Sequence, residues 1–342
     1  MQKAYHNDAA SRKLNILFSR SGINSRHSVI PDFGNGNEPP RLFAENQSLP
    51  TIDERLRIYK ECAVPLALEA IQNSLAKLKT TIAGFGVTHL ITVTCTGLYA
   101  PGLDAKIMEQ LNLPGDIFHT SINFMGCNAA FPALKLGDMI AATDEHARVL
   151  IVCVELCTLH FQPKNNDDNL LSNTIFGDGA AAVLLIPDSE KNFSHSGGLA
   201  IRGFHSELLP GGKDLMAWNV TPTNFEMVLD AKVPEFIGRE VEEIVAKAAR
   251  KLNFRPEEIG KWAVHPGGKK ILDVIKEQMH LEVADLQPSY KVLADYGNMS
   301  SPTILFVLNE ILEAGLLPRE TVVAIGFGPG IGIETALLTY DK

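Results

Sequence analysis

The amino-acid sequence predicts a mixed α/β protein of stacked layers, built as two halves of one plan. Three observations carry that expectation. Buried-type apolar strands alternate with helical runs in both halves of the chain. Two helical runs, 128–142 and 302–312, are apolar or small on nearly every side, and each is introduced by a glycine and a reactive polar residue, Gly126 with Cys127 and Gly297 with Asn298. A polar, flexible stretch at 187–198 separates them, dividing the chain into an N-terminal half, 1–190, and a C-terminal half, 191–342.

Taken in order, the opening residues are polar, lack the apolar core of a signal peptide and lead to a helix over 11–20, a turn at Gly22 and a Pro-, Gly- and Asn-rich loop over 31–40. Thr51 with Glu54 has capping-box spacing ahead of a long amphipathic helix towards Lys79, kinked or restarted at Pro65. The β-branched run 88–94 reads as a buried strand ending at Cys95, Thr96 and Gly97. A helix from about Pro101 and a short strand at 117–123 precede the buried helix that follows Gly126. The apolar strand 148–156 runs into a polar loop at 162–169, and Phe176, Gly177, Asp178 and Gly179 turn the chain into a strand over 180–186. In the second half, a helix over 233–252 precedes a strand at 262–264 that ends in His265, Pro266, Gly267 and Gly268. A helix and loop lead to the apolar helix 302–312, and strands at 321–326 and 333–340 close the chain.

Composition narrows the function. At 342 residues and 45% hydrophobic the chain can bury a large core. Forty acidic against 31 basic side chains give a formal charge of -9, which argues against general affinity for nucleic acid or an anionic membrane. No uninterrupted apolar run reaches about 18 residues, so no membrane insertion is expected. Five cysteines without small-domain disulfide spacing predict free thiols and a cytoplasmic, reducing setting. Cys153 and Cys157 have CxxxC spacing but no matching second pair, so no metal site is expected. The glycines of GFGPGIGIE are followed by a strand rather than a helix, which leaves no helix N-terminus for a dinucleotide and favours close backbone packing beneath a site. A polyanionic substrate would need a local basic entrance, for which Arg20, Arg26, Arg41, Lys269 and Lys270 are available.

Three residues stand out for chemistry. Cys127 follows a glycine where a buried helix begins, so exposed backbone N–H groups and the helix dipole would favour its thiolate. His265 ends a strand, where ligands and catalytic groups collect in α/β sheets, and glycines beside it permit close approach. Asn298 precedes the second buried helix. Each has an ordinary alternative: a small core cysteine, a satisfied strand-end histidine, a helix-capping asparagine. Together they form a Cys, His and amide set suited to acyl transfer through a thioester. Asp178 fits a turn cap better than a base.

The motifs GCNAAFPALKLG, FGDGAAAVLL, WAVHPGGKKIL, YGNMSSPTILF and GFGPGIGIET, in this order, resemble those of the type III polyketide synthases, the chalcone synthase-like branch of the thiolase fold. The resemblance runs from about Ser21 to the C-terminus. It implies a homodimer of five-layered αβαβα subunits that uses coenzyme A thioesters directly, with no permanently bound cofactor and no metal. Cys127 matches the acyl-carrying cysteine, and His265 and Asn298 match the catalytic histidine and asparagine. Phe176 and Phe225 match the gatekeeping phenylalanines, Cys157 and Ser300 cavity-lining positions, and Lys270, with Gly268 and Arg26, the coenzyme A side. The implied reaction loads an acyl-CoA starter on Cys127, extends it with malonyl-CoA by decarboxylative condensation and cyclises it. Asn128, Ala129 and Ala130 after the cysteine, and the ELCTLHF segment, are similar to bacterial members that make alkylresorcinols or alkylpyrones, which implies a long fatty acyl starter. Ala100 stands where plant members reach a methionine into the partner's cavity, implying a more open wall there. An initiating β-ketoacyl-acyl carrier protein synthase shares the three residues, and a non-catalytic dimeric homologue is a further alternative; HPGG, GNMSS and GFGPG favour the polyketide branch.

Overall fold

The computed structural model describes residues 8–34, 37–44, 48–190 and 197–341. The first seven residues, two positions of the Pro- and Gly-rich loop and half of the polar stretch expected between the halves, 191–196, lie outside the described residues.

Two four-stranded sheets form the frame. The first takes β1 (His89–Thr94), β2 (Phe118–Asn123), β3 (Val149–Leu156) and β4 (Asp178–Leu185) in the order β2-β1-β3-β4, parallel except for β4. The second takes β5 (Gly198–Leu208), β8 (Lys261–Val264), β9 (Thr321–Gly328) and β10 (Gly332–Asp341) in the order β5-β10-β9-β8. Between the sheets lie α5 (Ala130–Thr143) and α10 (Thr303–Ala314). Outside the first sheet pack α2 (Ile52–Lys77) and α4 (Leu103–Leu111), and outside the second α7 (Val233–Leu252) and α8 (Lys269–Gln278), which completes an αβαβα stack.

Burial explains why the central strands read as unbroken apolar runs. In β3, Val149, Ile151 and Cys153 join the core between the sheets, whereas Leu150, Val152 and Val154 join the core under α2. Likewise in β9, Val322 and Ala324 face the middle layer and Val323 and Ile325 face α7 and α8. A strand covered on both faces has no polar side to show. The outer helix α7 instead buries one stripe, Val233, Ile237, Val241, Ile244, Val245 and Ala248, at helical spacing. At the start of α2, Thr51 N–H donates to Glu54 and the Thr51 hydroxyl accepts from Glu54 N–H, so the capping box is formed. That helix passes through Pro65 without restarting.

Several elements differ from the sequence expectation. The region read as a polar loop over 162–169 contains the start of α6 (Asp167–Ile175), capped by the Asn166 side chain, which accepts from Asn169 N–H. Strand β5 and the hairpin of β6 (Met216–Val220) with β7 (Phe225–Leu229) occupy a stretch in which no strand was expected. Their faces are half-exposed and carry polar residues, so the apolar-run signal that marks β1, β3 and β9 is missing. The middle helix α5 starts at Ala130, and Cys127 lies in the turn before it.

Candidate functional site

Two segments, one from each half, cross between the sheets and carry the site. Residues 126–129 lead into α5, and the segment after α9 (Gln287–Tyr296) leads into α10. The second is tied to the first half by an isolated parallel bridge between Phe176 and Asn298. Asn298 N–H donates to Ile175 O at 2.9 Å, and Gly177 N–H to Asn298 O at 3.0 Å. Gly297 makes this crossing possible. Its φ of 69° and ψ of -155° belong to a region open to glycine alone, and a Cβ there would stand 2.7 Å from Ile175 O. Beneath Cys127, Gly328 of β9 lies so close to Asn128 that a Cβ would meet Oδ1 at 2.2 Å, which is the backbone packing expected of the glycine-rich hairpin.

Cys127, His265 and Asn298 converge on one small cavity of about 20 Å³, together with Phe176, Gly267 and Phe327. Asn298 is held in one orientation. Its Oδ1 accepts from Ser300 N–H at 2.8 Å, which turns the Nδ2 donors towards Gly267 O at 3.4 Å and Cys127 Sγ at 3.8 Å. Sγ also lies 3.9 Å from Oδ1, whose second lone pair can accept from the thiol, so both ends of the amide face the sulfur. His265 projects from the end of β8, its N–H bonded to Ile325 O, and neither ring nitrogen has a hydrogen-bond partner among the described residues. Burial lowers its pKa to about 3, so the imidazole is neutral and offers one N–H donor and one acceptor.

Cys127 departs from the expectation of a favoured thiolate. Burial pushes its pKa up to about 11, and hydrogen bonds from Ser300, Asn298 and its own backbone offset this only in part. Desolvation outweighs the helix start because the thiol sits a turn before the first helical residue and is enclosed.

A larger cavity of about 260 Å³ adjoins the small one and shares Cys127, Phe176, Met216 and Met227 with it. Cys157, Phe225, Ser300 and Arg26 border it too. Arg26 is turned inward: its Nη1 donates to Asn173 O and Phe176 O, both at 2.7 Å, and it faces Asp178. Through Nη1 the guanidinium therefore braces the Phe176 segment. Asp178 caps a turn, accepting from Val29 N–H, Thr158 N–H and the Thr158 hydroxyl. Gly268 and Lys270 border neither cavity; Gly268 precedes α8 with open space where a side chain would stand, and Lys270 is exposed beside it.

Two residues at the site were missed in the sequence. Glu155 is fully buried at the end of β3 and accepts from Cys95 N–H, the Thr96 hydroxyl and the Ser301 hydroxyl, linking the first half to the segment after Asn298. Burial raises its pKa to about 7. The signal was there, as an acid inside the run VLIVCVEL is rarely buried without partners. His160, on the wall of the larger cavity, gave no such signal.

Comparison with known proteins agrees with this architecture. The pattern of the chalcone and stilbene synthases, N-terminal domain, matches residues 1–189, and that of their C-terminal domain matches residues 201–340. The chain is 30% identical over 333 residues to a 3,5-dihydroxyphenylacetyl-CoA synthase of Streptomyces toyocaensis, covering 96% of this chain and 83% of that protein. It is also 30% identical to an alpha-pyrone synthesis polyketide synthase-like protein of Mycobacterium tuberculosis, covering 84% and 73%. The C-terminal type III polyketide synthase domain of Steely1 from Dictyostelium superposes with a TM-score of 0.90 at 26% identity, covering 100% and 93%. With both domain patterns present in order and the layered stack shared, the chain belongs to the chalcone and stilbene synthase family and is a type III polyketide synthase, an acyltransferase on a thiolase fold.

Proposed function

We propose that the chain loads an acyl group from a coenzyme A thioester onto Cys127, extends it with malonyl-CoA and releases a cyclised resorcinol, pyrone or related polyketide. The observation that carries this reading is the convergence, across the seam between the halves, of a thiol, a neutral imidazole and an amide donor on one small cavity. His265 takes the Cys127 proton as Sγ attacks the thioester carbonyl, and the departing coenzyme A thiolate takes that proton back. A base is needed because burial holds Cys127 as the thiol. In extension, malonyl-CoA loses carbon dioxide, and the electron pair passes to an enolate whose oxygen accepts from the His265 N–H and from Asn298 Nδ2. The enolate carbon attacks the acyl carbonyl on Cys127, the C–S bond breaks, and the thiolate returns.

Phe176 and Phe225 act as the gate, with Cys157 and Ser300 on the cavity wall. Gly268 and Lys270 lie on the side open to coenzyme A, and no permanent cofactor takes part. Among the described residues no helix is long and apolar enough to cross a membrane. A homodimer is supported by β2, which forms an edge of its sheet among the described residues, with Phe118 at its start 49% exposed and Met125, just past its end, 45% exposed. The segment after Cys127, the ELCTLHF run and Ala100, which resemble bacterial members, favour a long fatty acyl starter over a phenylpropanoid one. Mass spectrometry of products from malonyl-CoA with a ladder of acyl-CoA starters tests the reading. A polyketide from at least one starter, with fatty acyl preferred, is expected; no malonyl-CoA turnover with any starter would refute it.

A further inference from the structure

Two helices end at the seam between the halves, α6 on one side and α9 on the other, and both give up the same bond there. In a helix that ran on, Gly177 N–H would donate to Asn173 O at the end of α6, and Asn298 N–H would donate to Ala294 O at the end of α9. Each donor is sent across the seam instead, Gly177 N–H to Asn298 O and Asn298 N–H to Ile175 O. The bridge that seats Asn298 is therefore built from the N–H groups that the two helices release. The carbonyls left behind take other partners.

Those partners come from one short segment of the first half, residues 24–29. Asn24 N–H and Ser25 N–H both donate to Ala294 O, at 2.8 and 3.1 Å, and the Ser25 hydroxyl donates to Asp295 O at 2.6 Å. At the other helix the donor is a side chain. Arg26 Nη1 directs one N–H to Asn173 O and the other to Phe176 O, so a single nitrogen replaces the lost helical bond and holds the residue that faces Asn298 in the bridge. The segment is anchored beyond Arg26 as well, since Asp178 N–H donates to His27 O and Val29 N–H donates to Asp178 Oδ2, both at 2.9 Å. The Arg26 stem lies against a glycine on each side of the seam: a Cβ on Gly177 would stand 3.2 Å from Arg26 Cβ, and one on Gly297 would stand 2.8 Å from Cγ. Burial lowers the Arg26 pKa to about 10, which leaves the guanidinium charged at neutral pH and its bonds to the carbonyls charge-assisted.

We propose that Arg26 is a positioning residue for the Asn298 amide: by taking over the carbonyl that Gly177 gives up, it holds the Phe176–Asn298 bridge closed and so fixes the Nδ2 donor where the enolate oxygen forms. This rests on the polyketide synthase reading above. Without Nη1, Gly177 N–H is drawn back towards Asn173 O, and the bridge loosens at Asn298 O. Arg26 acts through geometry, because it borders the larger cavity and not the small one where Cys127, His265 and Asn298 meet.

The test asks whether Arg26 works through Asn298. Arg26→Met keeps the aliphatic stem and deletes the donors; Arg26→Lys returns one nitrogen with enough hydrogens for both carbonyls. Starter-free release of acetyl-CoA from malonyl-CoA is measured for each variant, alone and combined with Asn298→Ala, with folding followed by thermal melting. Arg26→Met is expected to lower kcat about tenfold or more while the malonyl-CoA KM stays within about twofold, the pattern of a misplaced donor and not of a lost substrate contact. Arg26→Lys should recover most of that loss. Added to Asn298→Ala, Arg26→Met should change kcat by less than about twofold, because no amide is left to misplace, whereas a general loosening of the fold would multiply the two losses. If Arg26→Met does not fold, Arg26→Gln enters the same cycle and should show the same pattern, a loss alone and none on top of Asn298→Ala. Multiplying losses, an unchanged kcat, a raised KM at unchanged kcat, or an Arg26→Lys variant no better than Arg26→Met overturns the positioning role and leaves the polyketide reading intact. Wild-type protein that makes no polyketide from any starter overturns both.

Discussion

The two helices at the centre of the molecule begin alike and are used differently. Before α5 come Gly126 and Cys127; before α10 come Gly297 and Asn298. Asn298 is tied down by its backbone on both sides and by a bond to its Oδ1, whereas the Cys127 sulfur lies at the longer distances of 3.8 and 3.9 Å from the Asn298 amide. The contrast follows from what each must do. A donor to a developing charge works best when it cannot move. A nucleophile that carries a growing chain needs freedom, and its reactivity is supplied by a neighbouring base rather than by a fixed field.

Four outcomes would break or sharpen that comparison. The largest is expected from Cys127→Ala, which should abolish product formation and covalent loading yet leave starter-free decarboxylation of malonyl-CoA running, because enolate stabilisation needs no sulfur; an acyl adduct mapped to Cys95 or Cys157 would reassign the nucleophile. Next, Asn298→Ala should lower acetyl-CoA release about a hundredfold to a thousandfold, the usual effect of losing one oxyanion donor. Release at the wild-type rate from folded protein would reduce Asn298 to a structural tie. Third is the acid that joins the two segments. Burial raises Glu155 from 4.5 to about 7, so the native state holds that proton more tightly than the unfolded chain. The stability it contributes is complete below pH 4.5 and is lost as pH rises through about 7, a swing of up to ~3 kcal/mol. Glu155→Gln can keep all three hydrogen bonds and removes the titration, so its melting temperature should gain on wild type steadily from pH 4.5 to 7.5. A difference that stays flat over that range contradicts the assignment. The smallest effect belongs to Gly297→Ala, which should destabilise the fold by about 2 kcal/mol through its backbone conformation and the contact with Ile175 O. Denaturant titration measures it, and a neutral result would mean the crossing relaxes easily.

Much of this was legible in the sequence because burial on both faces writes itself as apolar runs. The strands β1, β3 and β9 and the helices α5 and α10 were readable for that reason. Cys127, His265 and Asn298 were readable as reactive groups beside glycines at element ends, and the cavity brings them together. What stayed hidden depends on direction and enclosure. Nothing local says that Arg26 turns inward to two carbonyls, or that enclosure outweighs the helix start at Cys127. Strands β5 to β7 escaped because half-exposed strands mix polar and apolar residues, and with them went the surroundings of Phe225.

The bridge between Phe176 and Asn298 has a consequence for synthesis of the chain. Translation is vectorial, and Cys127 leaves the ribosome well before His265 and Asn298. At ~5–20 residues per second the interval is on the order of ten seconds. Throughout it the nascent thiol has neither base nor amide donor and meets cellular acyl thioesters as an ordinary, weakly reactive cysteine. Catalysis is switched on by the docking of the last third of the chain, so a product truncated before His265 carries the nucleophile without its base or its amide donor.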